Sequence, residues 1–147
     1  LSRQKLPYIN PKFSESNKCE NGAYVVKMNS HDNKVTLVAS GSEVELALNV
    51  HKALKDNNIV SKVVSMPCQE LFDKQSDDFK KDILDQESLI VTIEAGNVSS
   101  WKKYSGGKGI SLGIDKFGES APYKEVFAHL NLSTEKIVNV IQEQLRK

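Results

Sequence analysis

Between Val35 and Asn57 the chain reads VTLVASGSEVELALNVHKALKDN, a run that allows few folds. Val35-Thr36-Leu37-Val38-Ala39 is short, apolar and rich in β-branched residues, which suits a strand covered on both faces. Gly41 supplies a tight turn. Ser42 and Glu45 have the S-x-x-E spacing of a capping box, in which each side chain satisfies a backbone N–H at a helix start. Val44, Ala47, Leu48, His51 and Leu54 follow three and four apart and give that helix an apolar face. The helix then needs a partner strand, and Val60 to Ser65 provides one, parallel to the first and reached by a right-handed crossover.

The rest of the chain extends this βαβ unit. Ala23 to Met28 reads as a strand, and the short gap before Val35 predicts an antiparallel hairpin between the two. Pro67 opens a short helix to Phe72. Ser76 caps another to Leu84, whose acids lead and bases follow, as the helix dipole prefers. Leu89 to Glu94 is a third parallel strand. Ser99 to Tyr104 is a short helix, Gly106 to Gly109 a loop, Ile110 to Ile114 the last strand, and Pro122 to His129 a helix. Ser133 opens the final helix, whose apolar stripe is Ile137, Val140, Ile141 and Leu145. The fold class is therefore α/β: a three-layer α/β/α domain with a mixed, mostly parallel five-stranded sheet carrying one antiparallel strand. Residues 1–21, polar and containing Pro7 and Pro11, read as an arm or linker from a missing upstream domain; residues 22–147 form the domain. Because the sequence opens on Leu1, it is expected to be a piece of a longer protein.

At 147 residues, 39% apolar and 27% charged, the composition is that of one globular domain with a proper core. A net charge of +1 argues against nucleic acid and acidic membrane surfaces as partners. No apolar run reaches membrane-spanning length. Cys19 and Cys68 form neither a C-x-x-C motif nor a disulfide framework, which fits a reduced, cytoplasmic setting.

Residue types alone point to no strong active site. Gly41-Ser42-Glu43 lies at a strand's carboxyl end and a helix N-terminus, where doubly wound proteins bind anions, but Glu43 opposes a phosphate and capping accounts for the residues. Gly106-Gly107-Lys108-Gly109 lacks the phosphate-loop spacing and precedes a strand. His31, His51 and His129 have no partners at metal-ligand spacing, and His51 on the apolar helix face reads as a hydrogen-bonded, half-buried residue. Glu94 ends a parallel strand and Asp115 follows the last one, each without a second acid or base nearby in sequence. Trp101-Lys102-Lys103-Tyr104 reads as a packed tryptophan beside solvated lysines. One reading of the strand ends is a non-catalytic module that binds a regulatory small molecule near Gly41, Ser42 and Glu94. Arg3 and Lys5 are the basic pair of the arm, and Arg is suited to bidentate phosphate recognition.

Three motifs go further. Leu1-Ser2-Arg3-Gln4, Ala39-Ser40-Gly41-Ser42-Glu43-Val44 and Gly113-Ile114-Asp115-Lys116-Phe117-Gly118-Glu119-Ser120-Ala121-Pro122 occur in the order and spacing of the C-terminal part of transketolase. Phe72-Asp73-Lys74-Gln75 and Trp101-Lys102-Lys103-Tyr104 fit as well, so nearly the whole chain resembles that family. The resemblance implies a dimeric enzyme that uses thiamine diphosphate and a divalent cation, magnesium or calcium. Such an enzyme moves a two-carbon ketol unit between sugar phosphates in the pentose phosphate pathway. It also implies that cofactor and catalytic residues lie in upstream domains, so that these 147 residues alone are inactive and support the homodimer. It assigns one functional residue here, Arg3, as a contact to the substrate phosphate.

Overall fold

The computed structural model describes residues 6, 18–114 and 132–147. Five strands, β1 (Tyr24–Met28), β2 (Val35–Ala39), β3 (Ser61–Ser65), β4 (Leu89–Ile93) and β5 (Ile110–Leu112), form one sheet in the order β1-β3-β2-β4-β5. β3, β2, β4 and β5 are parallel to their neighbours, and β1 joins the edge antiparallel to β3. The helices are α1 (Glu43–Asp56), α2 (Gln69–Asp73), α3 (Asp77–Ile83), α4 (Lys102–Ser105) and α5 (Thr134–Leu145).

The composition of β2 explains its central place. All five of its residues are buried, and it lies between β3 and β4 in register, Val35 opposite both Ser61 and Leu89. Its side chains alternate between two cores. Val35, Leu37 and Ala39 join α1 residues Val44, Ala47, Val50 and Leu54 and α5 residues Ile137, Val138 and Ile141. Val38 joins the other core, where Phe72 of α2, Ile83 of α3, and Trp101 and Tyr104 pack. Helices therefore cover both faces, the three layers expected from the sequence.

The expected hairpin is absent: β1 pairs with β3 and does not pair with β2. The six residues of the β1–β2 connection can reach about 20 Å, whereas stepping over one strand needs only about 10 Å. A short gap therefore leaves room for β3 to take the central position that its five buried residues require. The capping box is absent too. Gly41 has φ +52°, and Ser42 already lies in the helical region at φ −66°, ψ −27°, with no capping hydrogen bond. A serine reaches the amides of a helix start from extended backbone; Ser42 instead donates its hydroxyl to Glu43 Oε1 at 2.7 Å.

Ser76 and Ser133 are extended and do cap, accepting from Phe79 N and Lys136 N. α2 starts after Pro67, with Cys68 as its cap residue, and residues 99–101 form a turn ahead of α4. On α5, Val138 is buried, while Val140 and Leu145 stay 38% and 39% exposed. The expected helix from Pro122 to His129 lies outside the described residues.

Candidate functional site

The sheet changes direction between β2 and β4. From β2 the chain moves outward to β3, then returns across the sheet to β4 on the opposite side of β2. Ligands of open α/β sheets bind at such a switch point, beyond the carboxyl ends of the strands. Ala39 and Ile93 are register partners, so the next residues, Ser40 and Glu94, emerge side by side. Ser40 donates its hydroxyl to Glu94 Oε2 at 3.3 Å, and the side chain of Trp101, whose one donor is the indole N–H, bonds the same carboxylate. Burial, and then the negative charge of Glu43, raise the Glu94 carboxyl above the ordinary glutamate range, and the two hydrogen bonds oppose that shift. Glu43 itself is only 5% exposed.

Ser40, Glu94 and Trp101 border a cavity of about 370 Å³ whose polar lining also includes Gln69, Glu70, Asn97 and Ser100 and, among the described residues, no Lys, Arg or His. The opening is acidic, so it opposes phosphate and favours hydroxyl or amine donors. Gly41 lies elsewhere, in the wall of a separate groove of about 830 Å³ between β1 and α1. The fold thus divides Gly41 and Glu94 between two openings.

His51 is 5% exposed, and its Nδ1 lies 2.8 Å from Ser61 Oγ. The pair has the partners of a nucleophilic dyad but not the access, because Ser61 is fully buried. His51 therefore matches the expectation of a hydrogen-bonded residue and is more buried than expected. His31 is exposed. Cys19 is exposed, and Cys68 donates its thiol to Glu70 Oε2 at 3.5 Å; neither cysteine is in a disulfide. Trp101 and Tyr104 are buried and meet edge to face, with centroids 6.2 Å apart. Tyr104 also donates to Asp73, and burial first, then that bond and the charge of Asp73, push its phenol up to about 12. The Gly106–Gly109 loop precedes β5. Gly113 and Ile114, which open the long family-type motif, are tied to the loop after β4 by Ile114 N–H donating to Gly96 O at 2.8 Å. Arg3, Asp115 and His129 lie outside the described residues. Among the described residues no three His, Cys, Asp or Glu side chains are grouped to hold a metal ion, and no helix is long and apolar enough to cross a membrane.

A family model described as the transketolase-like TK C-terminal domain matches residues 22–133. The chain belongs to the transketolase family. Transketolase of Bacillus subtilis (strain 168) is 39% identical to it over 100% of this chain and 22% of its own length. Transketolase-1, chloroplastic, of Arabidopsis thaliana is 39% identical over 95% of this chain and 19% of its own length. The crystal structure of Campylobacter jejuni transketolase superposes with a TM-score of 0.78 at 36% identity, covering 86% of this chain and 19% of that one. This chain therefore spans about a fifth of the length of these transketolases, and it corresponds to their C-terminal domain. A split-gene transketolase, titled an inactive beta4 tetramer, shares the fold at TM-score 0.72 and 23% identity.

Proposed function

We propose that the chain acts as the C-terminal support domain of a thiamine-diphosphate-dependent transketolase. In this reading the intact enzyme is a homodimer that moves a two-carbon ketol unit between ketose and aldose phosphates in the pentose phosphate pathway. Residues 1–21 are its arm from the upstream domains, residues 22–147 the domain proper, and the cytoplasm its compartment. The match of residues 22–133 to the transketolase C-terminal domain carries this reading.

Thiamine diphosphate supplies carbanion stabilisation when bound, and it is held with a divalent cation. The described residues do not fit that pair. They include no cation-ligand cluster, and the switch-point cavity presents Glu70 and Glu94 where a diphosphate would need positive charge. In the proposal the cofactor therefore belongs to the other domains. This chain contributes Arg3 to the substrate phosphate, where a guanidinium makes paired, charge-assisted hydrogen bonds.

Ketol transfer measured on the 147-residue chain alone should be at background, and turnover there would overturn the support role. In the intact enzyme, Arg3→Ala should raise KM for the sugar phosphates by about tenfold to a hundredfold, the equivalent of about 1.5–3 kcal/mol. Unchanged KM values for both substrates would remove Arg3 from the site.

A further inference from the structure

α1 and α5 build the core on one face of the sheet, and β1 sits at the edge of that sheet. Between β1 and α1 runs the groove of about 830 Å³, a volume in the range of small-molecule sites. It extends from Gly41 to Lys55, about 20 Å of helix. Val26, Val44 and Leu48 supply an apolar strip within it, and Lys27, Lys52 and Lys55 supply positive charge; among the described residues no Asp or Glu lines it.

The position of Lys27 depends on an irregularity. The β1–β3 ladder slips between Val25 and Lys27: Val25 pairs with Val64 and Lys27 with Val63. Val64 belongs to the core under α2 to α4, and Val63 to the core under α1. Opposed residues share a face, so the bulge at Val26 puts both Val26 and Lys27 on the α1 side. Regular alternation would have put Lys27 on the other face. Burial first, then the charges of Lys27 and Lys55, hold the imidazole of His51 below its ordinary range, so the positive field extends to the groove wall. Among the described residues none of the three lysines forms a salt bridge.

We propose that this groove binds an organic phosphate, with the phosphates on Lys27, Lys52 and Lys55 and an apolar body on Val26, Val44 and Leu48. The proposal draws on neither Arg3 nor the catalytic reading.

The test is calorimetric titration of the 147-residue chain with adenosine 5′-diphosphate, inorganic pyrophosphate and glucose 6-phosphate. The nucleotide should bind at one site, at least about tenfold more tightly than either of the others, because it alone has both charge and a large flat body. The Lys52→Glu/Lys55→Glu variant should weaken it at least about tenfold, with an unchanged melting temperature showing that the exposed substitutions leave the fold intact. Lys27→Glu should do the same from the opposite wall. No saturable binding of the nucleotide overturns the site. Full binding by both charge-reversed variants places the ligand elsewhere and also overturns it. Equal affinity for pyrophosphate and nucleotide overturns the role of the apolar strip.

Discussion

Replacing Gly22 with alanine separates the effect of backbone conformation from that of close packing. Gly22 has φ +82°, and a Cβ there would collide with Phe72 N and Cys68 O. Its own amide donates to Cys19 O at 3.0 Å, and its carbonyl accepts from Cys68 N at 3.2 Å, so the peptide cannot move aside without breaking both bonds. An L-residue in left-handed backbone costs about 1–2 kcal/mol, and forcing an extra carbon into a packed site costs about 1–3 kcal/mol. Gly22→Ala should therefore destabilise by about 2–5 kcal/mol. Gly41→Ala is the control: its φ of +52° carries the same backbone cost, but nothing among the described residues lies within 4 Å of the new carbon. It should cost only about 1–2 kcal/mol. Urea denaturation followed by fluorescence of Trp101, the one tryptophan and only 4% exposed, reads both variants. A difference between them below about 0.5 kcal/mol, at equal denaturant slopes, would refute the close-packing account.

Thr36 and Ser88 should respond unequally to truncation. Ser88 gives its hydroxyl proton to Asp85 O at 2.7 Å, so Thr36 must be the donor across the buried 2.6 Å contact with Ser88 Oγ. Thr36→Val removes one hydrogen bond, about 1 kcal/mol, whereas Ser88→Ala leaves a buried hydroxyl unpaired, about 1–3 kcal/mol, and thermal melts should rank them so. Glu94→Gln should raise the melting temperature near neutral pH. The folded carboxyl is shifted up, so its protonation favours the fold below the ordinary glutamate range, and that contribution is lost as pH rises through the shifted value. The gap between variant and parent should close as pH falls to about 4; a gap that is constant with pH would mean that Glu94 carries no such shift.

Local patterns made most of the fold readable. The β-branched run at β2, the stripe on α1 and the serines ahead of α3 and α5 each specify an element within a few residues. What the sequence hid was set by distant neighbours. β1 looked like half of a hairpin because its true partner, β3, becomes available only after α1 has crossed the sheet. Ser42 looked like a cap because a left-handed backbone at Gly41 cannot be told from any other glycine turn in a one-dimensional pattern. The site divided in the same way. Glu94 stood out at a strand end, but its contacts with Ser40 and Trp101 and the charge of Glu43 come from other segments. The lysines of the α1–β1 groove gave no motif at all, because Lys27 faces it only through a bulge. The family resemblance pointed to Arg3, whereas the structure brings out the groove.

The placement of β1 also orders events during synthesis. Tyr24 to Met28 leave the ribosome before any other strand described here, yet their partners, Ser65 back to Lys62, follow only after the whole of α1 has been made. Until then the strand exposes an unpaired edge beside whatever polypeptide precedes it. Pairing over such a separation carries a larger loop-closure cost than a hairpin would, which slows docking of the first strand relative to the β2–α1–β3 unit. Pulse-labelling of nascent chains should find the amides of β1 protected last, although they are translated first.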